Sequence, residues 1–374
     1  MIGIDGQYQA YFALDGGSGE REIGESMFHS WKSTVRASAL LPSFEMVFRT
    51  MDDSFARDLE SGAILRAGVG RDSETINNME WKPTGIECTR LATEEMGIRV
   101  TGLLNQATFL RDRGNYSSGR PVSGIEAITE VMERAGFSVD ASPAKSEDSQ
   151  LWVQPGWSNK RFVLHAWLHS KLSGQIPLLG FGTNGRVMIR ALNESSPPGK
   201  TIGPVDAQIP VLGNYKINDR GGFNSAWAGD HQGFYETNLR TAIDYWRTEE
   251  DATGGVETSA TAYEGVVRPE SWMGAGVLNH NHDPEYWKTY VRNLSFLTHF
   301  GGARVTCETT QPQWETELFD RMTFLDPNPG GGSAGGTSGS TVVTKIVHSV
   351  RKKAFSTVFE LSRPALNLAI PEPI

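Results

Sequence analysis

The stretch Ser123-Gly-Ile-Glu-Ala-Ile-Thr-Glu-Val-Met-Glu-Arg-Ala-Gly-Phe-Ser-Val139 marks the point where the hydrophobic period of the chain changes. Ile125, Ile128, Val131, Met132 and Ala135 recur at helical spacing. Ser123 and Glu126 form a capping box: the hydroxyl accepts from the N–H three residues on, and the carboxylate reaches back to the Ser123 N–H. Gly136 supplies the left-handed stop. The spacing therefore predicts one well-punctuated helix.

On the N-terminal side, from Phe28 to Leu110, the pattern is strand-like. In Ser43–Met51, Phe44, Met46 and Phe48 alternate with Glu45, Val47 and Arg49, as a half-buried strand requires. Ala63–Gly70 and Ile98–Leu104 repeat the theme, so several short strands point to a small antiparallel barrel or sandwich. On the C-terminal side, Ser146–Trp157 reads as a short strand and turn. Ser158–Leu172 reads as a helix closed by Gly174, and Arg186–Leu192 as a strand.

Residues 193–280 are rich in Pro and Gly, with a helix expected only at Tyr235–Trp246. A further helix begins at Asp283-Pro284, carries Trp287, Tyr290, Leu294 and Leu297, and stops at Gly301-Gly302. Strands are expected at Arg304–Thr309 and Leu318–Leu325, then a tract at Pro329–Ser340 too poor in side chains to fold alone. The chain closes in a hairpin, Thr341–Val350 and Ala354–Leu361, with Phe355, Thr357, Phe359 and Leu361 on one face. The expected class is α+β, mainly β.

Composition narrows the function. At 374 residues the chain has room for two or three domains. Its 41 glycines are about 11% of the residues against a typical ~7%, which fits a turn-rich β protein. A formal charge of −9 argues against a dedicated binder of nucleic acid or of anionic membranes, both of which need a basic field. Cys88 and Cys307 are far apart and supply neither a disulfide framework nor a four-ligand zinc site. Met1–Gly17 has no signal-peptide pattern, and no apolar run reaches membrane-spanning length, so a soluble, unsecreted protein is expected.

The chemical motifs fail on context. Gly180-Phe-Gly-Thr-Asn-Gly185 matches GxGxxG, but Arg186 onward reads as a strand, so no helix N-terminus would meet a pyrophosphate. Gly199-Lys200-Thr201 lacks the first glycine of a phosphate loop, since position 194 is Glu. His165 and His169 stand i, i+4, yet Ala166 replaces the base a zincin needs, so they read as histidines at the core edge.

His280-Asn-His282-Asp283 puts three possible ligands in four residues. The Asp that metallo-hydrolases need is Pro284 here, and Asp283 already suits a helix cap; metal ligation by His280 and His282 stays open. Asp52-Asp53 and Glu249-Glu250-Asp251 read as solvated loop charges, and Trp157, Trp167, Trp246 and Trp287 as packing residues. No catalytic, cofactor-binding or metal residue is assigned, and no cofactor is expected.

A family resemblance rests on stretches spread along the chain. Gly124–Val139 is followed by Gln150-Leu-Trp-Val-Gln154 and Ser158-Asn-Lys-Arg-Phe162, then by the strand from Gly185-Arg-Val-Met-Ile189. Asn214–Asn224 lies in the middle, and Thr341–His348 with Ala354–Arg363 closes the chain. This order resembles the central baseplate hub protein of contractile-tailed bacteriophages, the phage late control D family, which is related to the hub-like portion of type VI secretion spikes.

The resemblance implies two tail-tube-like antiparallel β-barrels with an intervening α/β module. The expected units are a first barrel at 25–118, the module at 119–192, and a second barrel at 195–365 with an irregular insertion at about 226–280. It implies a non-enzymatic homotrimer, a hub ring adapting a six-fold tail tube to a three-fold central spike and forming part of the DNA conduit used in genome ejection. Implied partners are tail tube protein above, spike protein below, and wedge or sheath-initiator proteins around. No sequence-specific nucleic acid and no stable membrane association are expected. The place is the virion tail baseplate, assembled in the host cytoplasm. The roles of 226–280 and of the Gly-rich loop 329–340 stay open. The rival reading is a tail-associated peptidoglycan hydrolase, metal-assisted through His280 and His282.

Overall fold

A computed structural model describes residues 2–4, 8–17, 19–37, 40–71, 79–91, 95–141, 148–172, 176–192, 199–204, 206–212, 216–219, 225–230, 233–238, 293, 303–325, 339–352 and 354–363. The chain opens with β1 (Ile2–Ile4), β2 (Tyr8–Gly16), β3 (Gly19–Glu22), β4 (Phe28–Arg36) and β5 (Ser43–Thr50). The short helix α1 (Ser54–Glu60) leads to β6 (Ile64–Gly70), β7 (Met79–Arg90) and β8 (Met96–Leu104). The middle holds α2 (Gly124–Arg134), β9 (Val139–Asp140), α3 (Asn159–Leu168), β10 (Ile176–Phe181) and β11 (Val187–Leu192).

The second half comprises β12 (Lys200–Gly203), β13 (Ile209–Pro210), β14 (Lys216–Asp219), β15 (Ser225–Asp230) and β16 (Gly233–Asn238). After these come β17 (Ala303–Glu308), β18 (Arg321–Phe324), β19 (Gly339–Arg351) and β20 (Ala354–Arg363). Twenty strands and three α-helices among the described residues make the fold α+β, mainly β.

In the first half β2, β6, β7, β8, β5 and β4 pair antiparallel in that order. Strand alternation sends Phe44, Met46 and Phe48 into the core and leaves Arg49 in solvent. The sheet curls on itself. Phe12 on β2 stacks on Phe28 of β4 at 4.8 Å between ring centroids, although four strands separate them in the pairing order. Trp31 of β4 and Trp81 of β7 meet edge to face at 6.5 Å in the same interior. Fully burying such rings contributes about 1.5–3 kcal/mol each.

In the second half β19 pairs with β20 and β18, β20 with β17, and β18 with β12, which pairs with β13. Just past β13, Val211 bridges Thr309 at the end of β17. Leu212 N–H donates to the Glu308 carbonyl at 2.7 Å and Thr310 N–H to that of Pro210 at 3.0 Å. Neighbour thus follows neighbour around a ring, with Ile202, Phe324, Ile346, Phe359 and Leu361 buried inside.

One strand belongs to both halves. Gly339–Val342 of β19 pairs with β18, whereas Lys345–Arg351 pairs with Arg36–Ser30 of β4. A register shift in the β19–β20 pairing between Val343 and Lys345 falls at the changeover, where a bulge redirects a strand. The two curled sheets are therefore one continuous hydrogen-bonded system.

The middle module places α2 and α3 beside the small sheet β10–β11–β9. The capping box is present as expected: Glu126 N–H donates to Ser123 Oγ at 3.2 Å, and Ser123 N–H to Glu126 Oε2 at 2.9 Å. Gly124 sits where the two helices nearly touch, since a Cβ there would lie 2.4 Å from Ser170 Oγ and 2.8 Å from the Ala166 carbonyl oxygen.

The structure differs from the sequence expectations at several places. The first sheet takes in β1–β3, ahead of the boundary placed at residue 25. A helix was expected from Tyr235, but Gly233–Asn238 is a strand paired with β15; Phe234, Tyr235 and Thr237 are strand formers, and a paired neighbour outweighs a weak helical stripe. The helix from Ser158 ends at Leu168, with His169 at its C-cap, short of Leu172. The strand expected from Leu318 starts at Arg321, because Phe319 is held at φ +74° in a turn. In the helix expected over 283–300 only Asn293 is described. It is helical, and its Nδ2 donates to the Leu168 and Ser170 carbonyls at 2.9 and 3.0 Å, so this point meets the middle module.

Candidate functional site

Each chemical motif of the sequence finds a structural role or lies outside the described residues. Gly180–Gly185 is the end and turn of the β10–β11 hairpin. Gly182 N–H donates to the Arg186 carbonyl at 2.9 Å, and Gly185 adopts φ +79°, so the glycines serve the turn. Lys200 and Thr201 lie in β12, where Gln208 N–H donates to Thr201 Oγ1 at 2.9 Å. Asp52 accepts from Ser54 N–H at 2.8 Å and pairs with Arg21 at 3.2 Å; Asp53 is the N-cap residue of α1.

His165 and His169 lie deeper than a core edge. Both are buried, their ring centroids are 4.1 Å apart, and the Trp152 and Trp157 rings lie edge-on to His165. Burial, with the Arg161 charge adding, pushes the pKa of His165 down to about 3, and burial holds His169 well below its usual value. Among the described residues no group of three His, Cys, Asp or Glu side chains has a metal-binding arrangement. His280, His282, Asp283, Glu249–Asp251, Trp246 and Trp287 lie outside the described residues, as do the Gly-rich residues 329–338.

The segment 311–320, between β17 and β18, ties the parts together. Glu315 pairs with Arg71 beside the first sheet at 2.9 Å, and both carboxylate oxygens of Glu317 accept from Arg186 of the middle module at 2.8 Å. Trp314 covers His348 of β19 at 4.8 Å and Phe355 of β20 at 6.0 Å. Phe319 N–H donates to the Val343 carbonyl at 2.9 Å.

The outer face of the first sheet carries charge ladders. Arg99 bridges Glu45 and Glu87 across β5, β8 and β7, and Arg66 meets Asp15, Glu20 and Glu80 across β2, β3, β6 and β7. Tyr11 donates to Glu20, which holds the Glu20 carboxyl below its usual range. Exposed pairs of this kind stabilise the fold by little.

Against that polar surface four large apolar side chains stand out among the described residues: Met51, Leu151, Val153 and Leu212. Sequence reasoning passed over Leu151 and Val153. The available signal was the alternation in Gln150-Leu-Trp-Val-Gln154, which puts Trp152 inside and its neighbours outside.

The class of fold is that of phage tail proteins. No protein-family model and no curated protein matches the sequence. Among solved structures, the chain is similar to a tail protein from Neisseria meningitidis, with a TM-score of 0.60, 12% identity, and coverage of 96% of this chain and 97% of that one. It is equally similar to the 43 kDa tail protein of prophage MuSo2 from Shewanella oneidensis, with a TM-score of 0.60, 12% identity, and coverage of 96% and 99%. The E. coli c3393 protein, a type VI secretion component with structural similarity to the T4 phage tail proteins gp27 and gp5, follows at a TM-score of 0.50 and 13% identity, covering 93% and 78%. At these identities what is shared is the fold.

Proposed function

We propose that this protein is a structural virion component, the baseplate hub of a contractile phage tail, acting as a homotrimeric ring without catalytic activity. The observation that carries the proposal is that one chain builds two curled sheets joined through β19, the first antiparallel and the second mixed, since β12 pairs parallel with both β18 and β13 where an antiparallel barrel was expected. Three such chains present six β units. A ring with six similar upper surfaces and three-fold lower ones joins a six-fold tube to a three-fold spike without leaving contacts unsatisfied on either side. Likeness to two phage tail proteins over 96% of this chain supports the reading.

In this reading the units at about 25–118, extended by β1–β3, and at 195–365 are the tube-like barrels, and 119–192 holds them. The partners are tail tube protein, central spike protein and surrounding wedge or sheath-initiator proteins, met in the host cytoplasm during assembly. Three copies at −9 each carry −27, and an acidic bore repels the DNA backbone that passes through it.

Native mass spectrometry of the purified chain tests the proposal. At 41.0 kDa per chain the expected species is about 123 kDa. A protein that stays monomeric at micromolar concentration, or one that clears peptidoglycan in a zymogram and loses that activity with chelator, contradicts it.

A further inference from the structure

Three neighbouring strands carry a buried polar residue at one register. His348 of β19 stands opposite Ser33 of β4 on one side and Thr357 of β20 on the other, and all three are buried. Two residues along each strand in one direction come Trp31, Val350 and Phe355, which belong to the core shared by the first sheet and the middle module. Two residues in the other direction come Val35, Ile346 and Phe359, which belong to the core of the second sheet. The polar row is therefore a seam between two apolar cores, and it crosses the strand that both sheets share.

The segment 311–320 closes this seam. Thr309 N–H and Oγ1 both donate to the Thr357 carbonyl, at 2.9 and 3.1 Å, and Gln313 N–H donates to Thr357 Oγ1 at 3.1 Å. The Thr357 hydroxyl proton is left for His348 Nδ1, 3.1 Å away, so the neutral ring accepts there. Trp314 covers the ring, and Nε2 is buried with no hydrogen-bond partner among the described residues. The charged neighbours point elsewhere. By alternation Lys32 and Arg36 of β4, Lys345 and Arg351 of β19 and Glu360 of β20 lie on the opposite faces of their strands. Within the segment Glu315 pairs with Arg71, Glu317 with Arg186, and Asp320 accepts from the Glu317 N–H. Tyr8 meets Phe355.

A proton added at Nδ1 turns the acceptor into a second donor facing Thr357, and leaves a charge with neither water nor a carboxylate beside it. The indole face of Trp314 attracts a cation, but by less than the lost hydration, since burial pushes the His348 pKa down to about 3. Lifting residues 311–320 returns water to the ring. We propose that His348 and the segment 311–320 form an acid-released latch across the seam: protonation of the ring detaches the segment, and with it the ties through Arg71 and Arg186 that hold the two β units and the middle module together. The ladder of β4, β19 and β20 stays paired, so the latch opens without unfolding the sheets. The device lies within one chain and is independent of the number of copies in the assembly. The opened form takes up the proton near pH 6.5 and the closed form only near pH 3, so the opening equilibrium is expected to rise roughly 25-fold between pH 7 and pH 5.

Hydrogen exchange of the full chain at pH 7 and pH 5, read by mass spectrometry and corrected for intrinsic rates, tests the latch. The peptide holding Gln313 and Phe319 is expected to exchange faster than β19–β20 at both values, and to lose protection roughly 25-fold at pH 5. His348→Gln keeps an acceptor for Thr357 but takes up no proton, and its segment is expected to keep at pH 5 the protection it has at pH 7. Trp314→Ala serves where that variant does not fold: its segment is expected to be open already at pH 7, with acid adding nothing further. A wild-type segment whose protection does not change with pH overturns the proposal, as does one that opens only together with β19–β20. An undiminished response to pH in either variant overturns it too.

Discussion

At the scale of single residues the buried histidines govern how the fold responds to acid. His348 on β19 lies beneath Trp314 and against Thr357, and burial pushes its pKa down to about 3, as for His165. In the unfolded chain these groups titrate near 6.5. Because the folded values are depressed, the folded state binds fewer protons at low pH. Stability present above about 6.5 is therefore lost as pH falls toward 3, at about 1.4 kcal/mol per pH unit per histidine. Urea midpoints are expected to be flat from pH 8 to 7 and to fall below 6.5, with a shallower fall for His348→Leu. An equal slope in that variant contradicts the assignment. Gly124 makes a second residue-scale case. Gly124→Ala forces a Cβ against Ser170 and Ala166 and is expected to cost about 1–3 kcal/mol in chemical denaturation. The histidine pair was legible in the sequence as structural, but its depth was not, because the rings that pack on His165, those of Trp152 and Trp157, come from outside the helix that carries it.

At the scale of elements, what could be read from the sequence was what is determined locally. The alternation of β5, the Ser123–Glu126 cap of α2 and the β19–β20 hairpin each depend on residues close in sequence. Ser123→Ala removes the acceptor of the Glu126 N–H and is expected to cost about 0.5–2 kcal/mol, measured by urea unfolding; an unchanged midpoint would mean the cap does not contribute. Elements that depend on distant partners were not legible. β4 is joined to β19 across some three hundred residues. The segment 311–320 has no period, yet it touches both sheets and the middle module. Its regularity lies in its partners: Arg71, Arg186, Val343 and Thr357.

At the scale of the whole molecule, the mainly β class followed from alternation and glycine content. The exposed apolar residues were less accessible, because they form no motif; Leu151 and Val153 become conspicuous only when Trp152 is seen to be inside. The acidic charge carries its own prediction. Fluorescence anisotropy with duplex DNA at 150 mM salt is expected to show no binding at micromolar protein, whereas a micromolar Kd would contradict an acidic conduit.

The account stands or falls on whether one chain supplies two equivalent parts of a ring. Electron cryomicroscopy of the purified assembly, averaged without imposed symmetry, tests this directly. The account predicts a three-fold ring whose upper face shows six similar β lobes, alternating between the first and second sheets of successive chains. Three lobes, or six lobes from six chains, would contradict it.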